Sequence, residues 1–161
     1  CDTFHIPVIS LVDEPGFLIG PDAEKEATIL HGTEAVLTVT ESQVPWSTVM
    51  IRKSFGVAAA AHYGPDGYVL AWPSAESGPL PLEGGVAVAF KKEIANAPDP
   101  EAKRKEIELS LAKNQDPFPR AENFSVHEII DPRETREYLS NWIERVQPQL
   151  KAKLLSKRSR H

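Results

Sequence analysis

The sequence predicts an α/β layered fold in which helices flank a mainly parallel β-sheet. Apolar runs of strand length alternate along the chain with longer segments that carry apolar residues at helical spacing. The strand-like runs are almost continuously apolar, which is typical of parallel strands that are buried on both faces. The chain has 161 residues, 41% of them hydrophobic, so it is long enough for a single domain with its own core.

The predicted elements follow one another in a regular order. The first apolar run ends at a turn that contains Pro15 and Gly16. The next segment has acidic residues in its first turn, where the helix dipole favours them. The predicted elements are a strand at 6–12, a helix at 23–41, a strand at 44–51, a short helix at 57–62, a strand at 68–72 and a helix at 79–94.

Two helices that begin with proline close the chain. In Asp99-Pro100 and in Asp131-Pro132, the aspartate is a good N-cap and the proline suits the first helical position. The second of these helices has one apolar face, on which we interpret Trp142 as a packing anchor.

Composition and charge exclude several function classes. The net charge is −5, and no basic patch precedes the C-terminal end, which argues against a nucleic-acid-binding surface. No apolar run approaches the length needed to cross a membrane. We therefore predict one domain over residues 1–150, followed by a basic flexible tail at 151–161.

Cysteine, histidine and glycine patterns exclude further chemistry. A single cysteine rules out an internal disulfide and is natural in a reducing compartment, so we expect the cytoplasm or the mitochondrial matrix. The five histidines are scattered without ligand spacing, so we predict no metal site. The sequence contains neither a glycine-rich phosphate-binding motif nor a G-x-S-x-G nucleophile elbow.

The segment IRKSFGVAAAA at 51–61 is the candidate site. A β-branched run is followed by a turn at Gly56 and by alanines, which predicts a strand, a turn and a short helix. The first N–H groups of a helix lack an intrahelical acceptor and lie at its positive end, so they can bind an oxyanion. The same junction also occurs where a helix merely packs closely on a sheet, and the residues alone favour that packing interpretation.

Five segments in order resemble a known family. They are CDTFHIPVISLVDEPGFLIG, a helix with an HG pair, VPWSTVMIRKSFG, YVLAWPSAE and DPFPRAENFSVHEIIDPRETR. Together they are similar to the C-terminal half of the biotin-dependent acyl-CoA carboxyltransferases. These are the carboxyltransferase β-type subunits of acetyl-, propionyl- and related acyl-CoA carboxylases, with relatives among the biotin-dependent decarboxylases. The resemblance extends to about Leu150.

The resemblance implies a crotonase-like (ClpP/crotonase) superhelix of β-β-α units. It also implies an active site between the N-terminal half of one protomer and the C-terminal half of another, with this chain on the side that receives carboxybiotin. The expected partners are an N-terminal carboxyltransferase half or subunit and the biotin carboxylase and biotin carrier subunits, in a homo- or hetero-oligomer. A start without Met, directly on an apparent inner strand, suggests a piece of something longer.

The resemblance also implies roles for individual residues. Carboxybiotin would release carbon dioxide, and the N–H groups of Val57 and Ala58, placed by the turn at Gly56, would hold the biotin enolate. That anion would take the α-proton of the acyl-CoA, whose enolate would attack the carbon dioxide. The usual Gly-Gly-Ala pattern of the family reads Gly56-Val57-Ala58 in this chain.

The resemblance also implies which residues lie near biotin or the acyl group. DEPGF resembles a turn of the family that would place Gly16 and Phe17 near the biotin pocket. Ala59 and Ala60 stand where the family often has larger or polar residues, so they would leave more room for the acyl group. The Arg-Lys pair that begins at Arg52 would either make the electrostatic potential near the site more positive or form a structural ion pair.

Three alternatives remain open at the level of sequence. The chain could be a non-catalytic truncated paralogue or fragment that only assembles with carboxylase subunits. It could instead be a biotin-independent crotonase-type hydrolase or isomerase of acyl-CoA thioesters, for which no acid or base can be placed. A generic α/β binding domain is the third, and the ordered family segments disfavour it. Acyl length, and carboxylase against decarboxylase activity, also stay open.

Overall fold

Five parallel strands form one sheet in the computed structural model, which describes residues 1–158. The strands are β1 (Val8–Glu14), β2 (Trp46–Phe55), β3 (Tyr68–Ala71), β4 (Glu76–Gly78) and β5 (Glu128–Ile129). Their order is β1-β2-β3-β5, and β4 pairs with the last residues of β2, beyond the end of β3. All of these pairings are parallel, which confirms the predicted sheet.

Helices occupy the connections between the strands. They are α1 (Pro21–Lys25), α2 (Thr28–Thr40), α3 (Gly56–Ala60), α4 (Leu82–Ala89), α5 (Lys91–Ala95), α6 (Pro100–Ala112), α7 (Pro117–Glu122) and α8 (Thr135–Arg158), with a 3₁₀ turn at Pro132–Glu134 before the last. Aspartate caps behave as predicted: the carboxylate of Asp99 accepts two N–H groups of α6, and that of Asp131 accepts the Arg133 N–H.

The core lies on both faces of the sheet. On one face the buried cluster is Met50, Val69, Ala71, Ala75 and Val126, with Tyr63 and Ala121 packed against it. On the other face it is Val49, Leu70 and Ile130, with Tyr138 and Leu139 of α8 packed against it. Because successive residues of a strand point to opposite faces, a strand covered on both sides must be apolar throughout. The apolar runs that predicted the fold have this cause.

Two predicted helices are each divided in the structure. The segment 23–41 forms α1 and α2, separated at Ala27, whose φ of 54° is left-handed. The segment 79–94 forms α4 and α5, separated at Phe90, whose φ and ψ of −106° and 20° are not helical. Neither break involves a glycine or proline at the break point, so the sequence gives no local signal for it.

Strand boundaries also differ from the prediction. The second strand was expected to end at residue 51, but β2 continues through the charged pair to Phe55. The short strands β4 and β5 and the helix α7 were not predicted. Elements of two to six residues are too short to establish a hydrophobic period.

The last helix extends further than expected. α8 continues to Arg158, so most of the segment predicted as a tail at 151–161 is helical, and residues 159–161 lie outside the described residues. The boundary at residue 150 between domain and tail stays a prediction.

Replacing Ala27 with glycine is expected to stabilise the protein. A left-handed conformation costs a residue with a Cβ about 1–2 kcal/mol, and glycine adopts it freely. After the larger conformational entropy of unfolded glycine is subtracted, the free energy of unfolding should rise by up to ~1 kcal/mol in urea titrations. Ala35→Gly, in the exposed middle of α2, is the matched control and should lower it by about 1 kcal/mol. Loss of stability in both variants would contradict the left-handed conformation of Ala27.

Candidate active site

A cleft lies at the edge of the sheet where three neighbouring strands end. β1, β2 and β4 are parallel, so the loops that follow them meet on the same side. The cleft has a volume of about 670 Å³. Its lining residues are Pro15, Gly16, Phe17, Ile19, Ile29, Thr33, Phe55, Gly56, Val57, Ala58, Pro79, Leu80, Pro81, Gly84, Gly85, Val88 and Ala89.

The walls of the cleft are apolar. Among the lining residues whose side chains the structure describes, Thr33 is the only polar one, and none carries a charge. Polar groups that point into such a site act in a medium of low dielectric constant, where a hydrogen bond to a developing charge is stronger than in water. Backbone groups are therefore the main polar elements that this cleft presents.

Gly56 makes the turn that starts α3. Phe55 before it is extended and fully buried, and Gly56 has a φ of +65°. A Cβ at Gly56 would be strained by that backbone conformation and would lie 3.4 Å from the carbonyl oxygen of Pro79. The predicted turn is thus present, and glycine suits it for a physical reason.

Val57 and Ala58 present their N–H groups in the first turn of α3. At these positions a helix supplies no intrahelical acceptor, so both groups are available to a ligand. The side chain of Val57 is 66% exposed, whereas Ala58 is only 2% exposed. Bulk is therefore tolerated at Val57, while Ala58 has no space to become larger.

Phe17 forms one wall through an unusually close approach to α2. A Cβ added at Gly32 would lie 2.3 Å from Cζ of the Phe17 ring, so the ring packs directly on the backbone of α2. The turn before the ring is held by Glu14, whose Oε1 accepts the N–H of Gly16 at 2.8 Å. Sequence reasoning did not single out Gly32, although the HG pair of the family resemblance contains it.

The structure brings together five of the eight predicted site residues. Gly16, Phe17, Gly56, Val57 and Ala58 line the cleft. The remaining three do not line it: Ala59 is buried, Ala60 is exposed, and Arg52 pairs with a carboxylate. Their proposed contacts with biotin or the acyl group remain predictions.

The Arg52 guanidinium forms a two-pronged ion pair with Asp13. Its Nη2 lies 3.0 Å from Oδ2, and its Nε donates at 3.1 Å. Asp13 also accepts the Lys53 N–H, so it links β1 to β2. The hydrogen bond from Arg52, followed by the one from Lys53, holds the pKa of Asp13 below its ordinary value of 3.8.

Sequence reasoning missed the wall formed by residues 79–89. Gly84 and Gly85 both line the cleft, and Gly84 has a φ of +80° inside α4. Within residues 1–158, no group of three or more His, Cys, Asp or Glu side chains is arranged to hold a metal ion. The same part of the chain contains no helix that is long and apolar enough to span a membrane.

The fold and the cleft together define a crotonase-like α/β domain with backbone donors at a helix start. The chain belongs to the carboxyl transferase domain family, which it matches over residues 1–160. The family suggested by the sequence motifs is thereby confirmed.

Curated relatives agree with this assignment. The chain is 38% identical over 144 residues to the propionyl-CoA carboxylase carboxyltransferase subunit of Haloferax mediterranei, covering 86% of this chain and 28% of that protein. It is 39% identical over 148 residues to the methylmalonyl-CoA carboxyltransferase 12S subunit of Propionibacterium freudenreichii subsp. shermanii, covering 89% and 28%. The chain thus spans little more than a quarter of the length of these relatives.

A solved structure confirms the fold. The transcarboxylase 12S crystal structure, a hexamer assembly with hydrolysed methylmalonyl-coenzyme A bound, superimposes with a TM-score of 0.77 at 38% identity. The alignment covers 91% of this chain and 29% of that one. The crotonase-like expectation is therefore correct.

Gly32→Ala should destabilise the protein although alanine is the better helix former. Helix propensity alone would favour alanine by about 1 kcal/mol. Moving the Phe17 ring away from the new methyl group should cost about 1–3 kcal/mol, so the free energy of unfolding in urea should fall. In a Phe17→Ala background the clash is gone, and the same substitution should be neutral or stabilising. If Gly32→Ala lowered the free energy of unfolding equally in the wild-type and Phe17→Ala backgrounds, the contact between Phe17 and Gly32 would be refuted.

Asp13→Asn should remove part of the acid sensitivity of folding. Because the pKa of Asp13 is lowered in the folded state, its contribution is present above pH 3.8 and is lost as the pH falls through the folded-state value. The stability advantage of the wild type over Asp13→Asn, measured in urea from pH 7 to pH 2, should therefore shrink below about pH 4. In Arg52→Gln the free energy of unfolding should depend less on pH over the same range. A stability difference between the wild type and Asp13→Asn that stays constant from pH 7 to pH 2 would disprove the role of the ion pair.

Proposed function

We propose that this chain provides the biotin side of a carboxyl-transfer site, at which a carboxyl group passes from carboxybiotin to an acyl-CoA. The observation that carries the proposal is the pair of N–H groups on Val57 and Ala58, at the start of α3, in an apolar cleft. Two adjacent backbone donors can stabilise negative charge that develops on a carbonyl or ureido oxygen.

The residues present suit the cofactor. Biotin supplies the carboxyl group when it is bound as carboxybiotin. The cleft offers apolar walls for an apolar ring system and backbone donors for a single polar oxygen, with Phe17 and Ile29 on the α2 side. Gly16 and Gly56 let the backbone approach closely, because neither has a side chain that would fill the space.

Each residue of this chain then has a defined task. Val57 and Ala58 would hold the oxyanion, and Gly56 would set the direction of their N–H groups. The apolar walls would exclude water, which strengthens those hydrogen bonds and protects carbon dioxide from hydration. Because the donors belong to a folded backbone, they need little rearrangement when charge appears.

The proton transfer requires no side chain from this cleft. Among the described side chains, no acid or base lines it. Carboxyl transfer through biotin would not demand such a group from this chain, since the cofactor would supply the base and the N–H pair would hold the negative charge. A biotin-independent hydrolase or isomerase would need an acid or base from elsewhere, so this observation favours carboxyl transfer.

The exposed apolar walls of the cleft support the proposal that a partner binds there. Ile19, Val57 and Val88 are 78%, 66% and 67% exposed, although they are apolar and lie together. Exposed apolar surface of this kind marks an interaction site. We propose that an N-terminal carboxyltransferase half covers it, and that the biotin carrier and biotin carboxylase subunits complete an oligomeric assembly.

Val57→Pro tests the backbone donors directly. Proline removes one N–H but is tolerated in the first turn of a helix. In the assembled carboxylase, with acyl-CoA and carboxybiotin supplied, kcat for carboxyl transfer should fall roughly 10²–10³-fold, as for loss of one oxyanion donor. Replacing Ala58 with a bulky residue is less informative, because Ala58 is buried and the fold would also change.

Val57→Ala is the matched control. It removes the exposed side chain but keeps the N–H, so kcat should stay within a few-fold of the wild type. Equal activity of Val57→Pro and Val57→Ala would show that the Val57 N–H does not take part in the reaction. An active assembly that is indifferent to both changes would favour a non-catalytic, assembling role for this chain.

A further inference from the structure

The short helix α3 depends on contacts outside itself for its position. It has only five residues, and an isolated helix of that length is not stable in water. The N–H groups of Val57 and Ala58 can bind an oxyanion well only if α3 is held in one place. Residues that fix α3 without lining the cleft are therefore candidates for a positioning role.

One hydrogen bond joins the two ends of the α3 segment. Ser54, just before α3, and Tyr63, just after it, are linked by a bond of 2.7 Å between Oγ and Oη. Ser54 is 5% exposed and belongs to β2. Neither residue lines the cleft. This side-chain link closes the loop that contains the whole helix.

Two further hydrogen bonds hold His62, the residue before Tyr63. The Oγ1 of Thr48 on β2 donates to the carbonyl oxygen of His62 at 2.7 Å. The Oγ of Ser10 on β1 lies 3.1 Å from Nδ1 of the His62 ring. The chain leaving α3 is thus attached to β1 and β2, two of the three strands whose loops build the cleft.

We propose that Tyr63 and Ser54 form a positioning pair that fixes the oxyanion donors of α3. The inference rests on the proposed function, because it assigns the pair a role in the same site. Burial raises the pKa of Tyr63 above its ordinary value of 10.0, so both hydroxyls carry a proton at neutral pH and either can donate in the bond. The pair acts through the position of α3 and does not touch the substrate.

Ser77 provides a matched control within the sheet. It lies directly opposite Ser54 in the β2–β4 pairing, so both side chains leave the same face. Ser77 is also buried, at 3% exposed, but its Oγ has no hydrogen-bond partner among the described residues. The two serines differ in the link to Tyr63, so comparing them separates that link from the burial of a hydroxyl.

The experiment uses Tyr63→Phe, Ser54→Ala and Ser77→Ala in the assembled carboxylase. Tyr63→Phe and Ser54→Ala should each lower kcat roughly tenfold, the effect of one hydrogen bond, with KM for the acyl-CoA within about twofold. The double variant should be no worse than either single variant, since both remove the same bond. Ser54→Thr, which keeps the hydroxyl, should retain activity, and Ser77→Ala should match the wild type.

Amide hydrogen exchange of residues 56–62 gives a readout that does not depend on turnover. Exchange should become roughly tenfold faster in Tyr63→Phe and Ser54→Ala and stay unchanged in Ser77→Ala. If the wild-type assembly transfers no carboxyl group, the proposed function fails, while exchange still decides whether the pair fixes α3.

Three results would overturn the inference. The first is unchanged exchange in both Tyr63→Phe and Ser54→Ala. The second is faster exchange with unchanged kcat in an active assembly. The third is an equal loss of kcat in Ser77→Ala and Ser54→Ala, because the loss of a buried hydroxyl would then account for the fall in activity without the link to Tyr63.

Discussion

The parallel pairing of β2 with its neighbours is the constraint on which the rest of the structure depends. β2 pairs with β1 on one side and with β3 and then β4 on the other. Because all of these strands run in the same direction, their carboxyl ends and the loops after them meet at one edge of the sheet. The cleft lies there for this reason, and the apolar content of the strands follows from helices covering both faces.

An irregularity in the pairing of β1 with β2 determines how far along the sheet β2 extends before α3 begins. Val12 pairs with Met50, but two residues later Glu14 pairs with Ser54, so β2 carries two extra residues in that interval. Asp13 spans the irregularity by accepting the Lys53 N–H and pairing with Arg52. Such irregularities are common next to active sites, where they redirect the chain. The charged pair of the candidate segment therefore shapes the sheet and does not end the strand.

The sequence was sufficient for features that depend on local conformation. The caps at Asp99 and Asp131 and the turn at Gly56 each need a particular residue type at a particular backbone position, and these were predicted correctly. Contacts between distant segments were not predictable in the same way. The Phe17 ring on Gly32 and the wall at 79–89 arise because separate loops meet in three dimensions. Ala27 shows the converse: where α1 ends and α2 begins, a residue whose own preference is helical adopts a left-handed backbone.

A site built from backbone donors constrains its residues unequally. At Val57 the N–H is what the proposed chemistry uses, and the exposed side chain can vary, so valine in place of the glycine usual in the family leaves the donor intact. At Ala58 the N–H is required in the same way, and the buried side chain also has no space to become larger. At Gly56 the positive φ excludes a Cβ without strain. Conformation thus restricts Gly56, packing restricts Ala58, and only the exposed position between them is open to a larger residue.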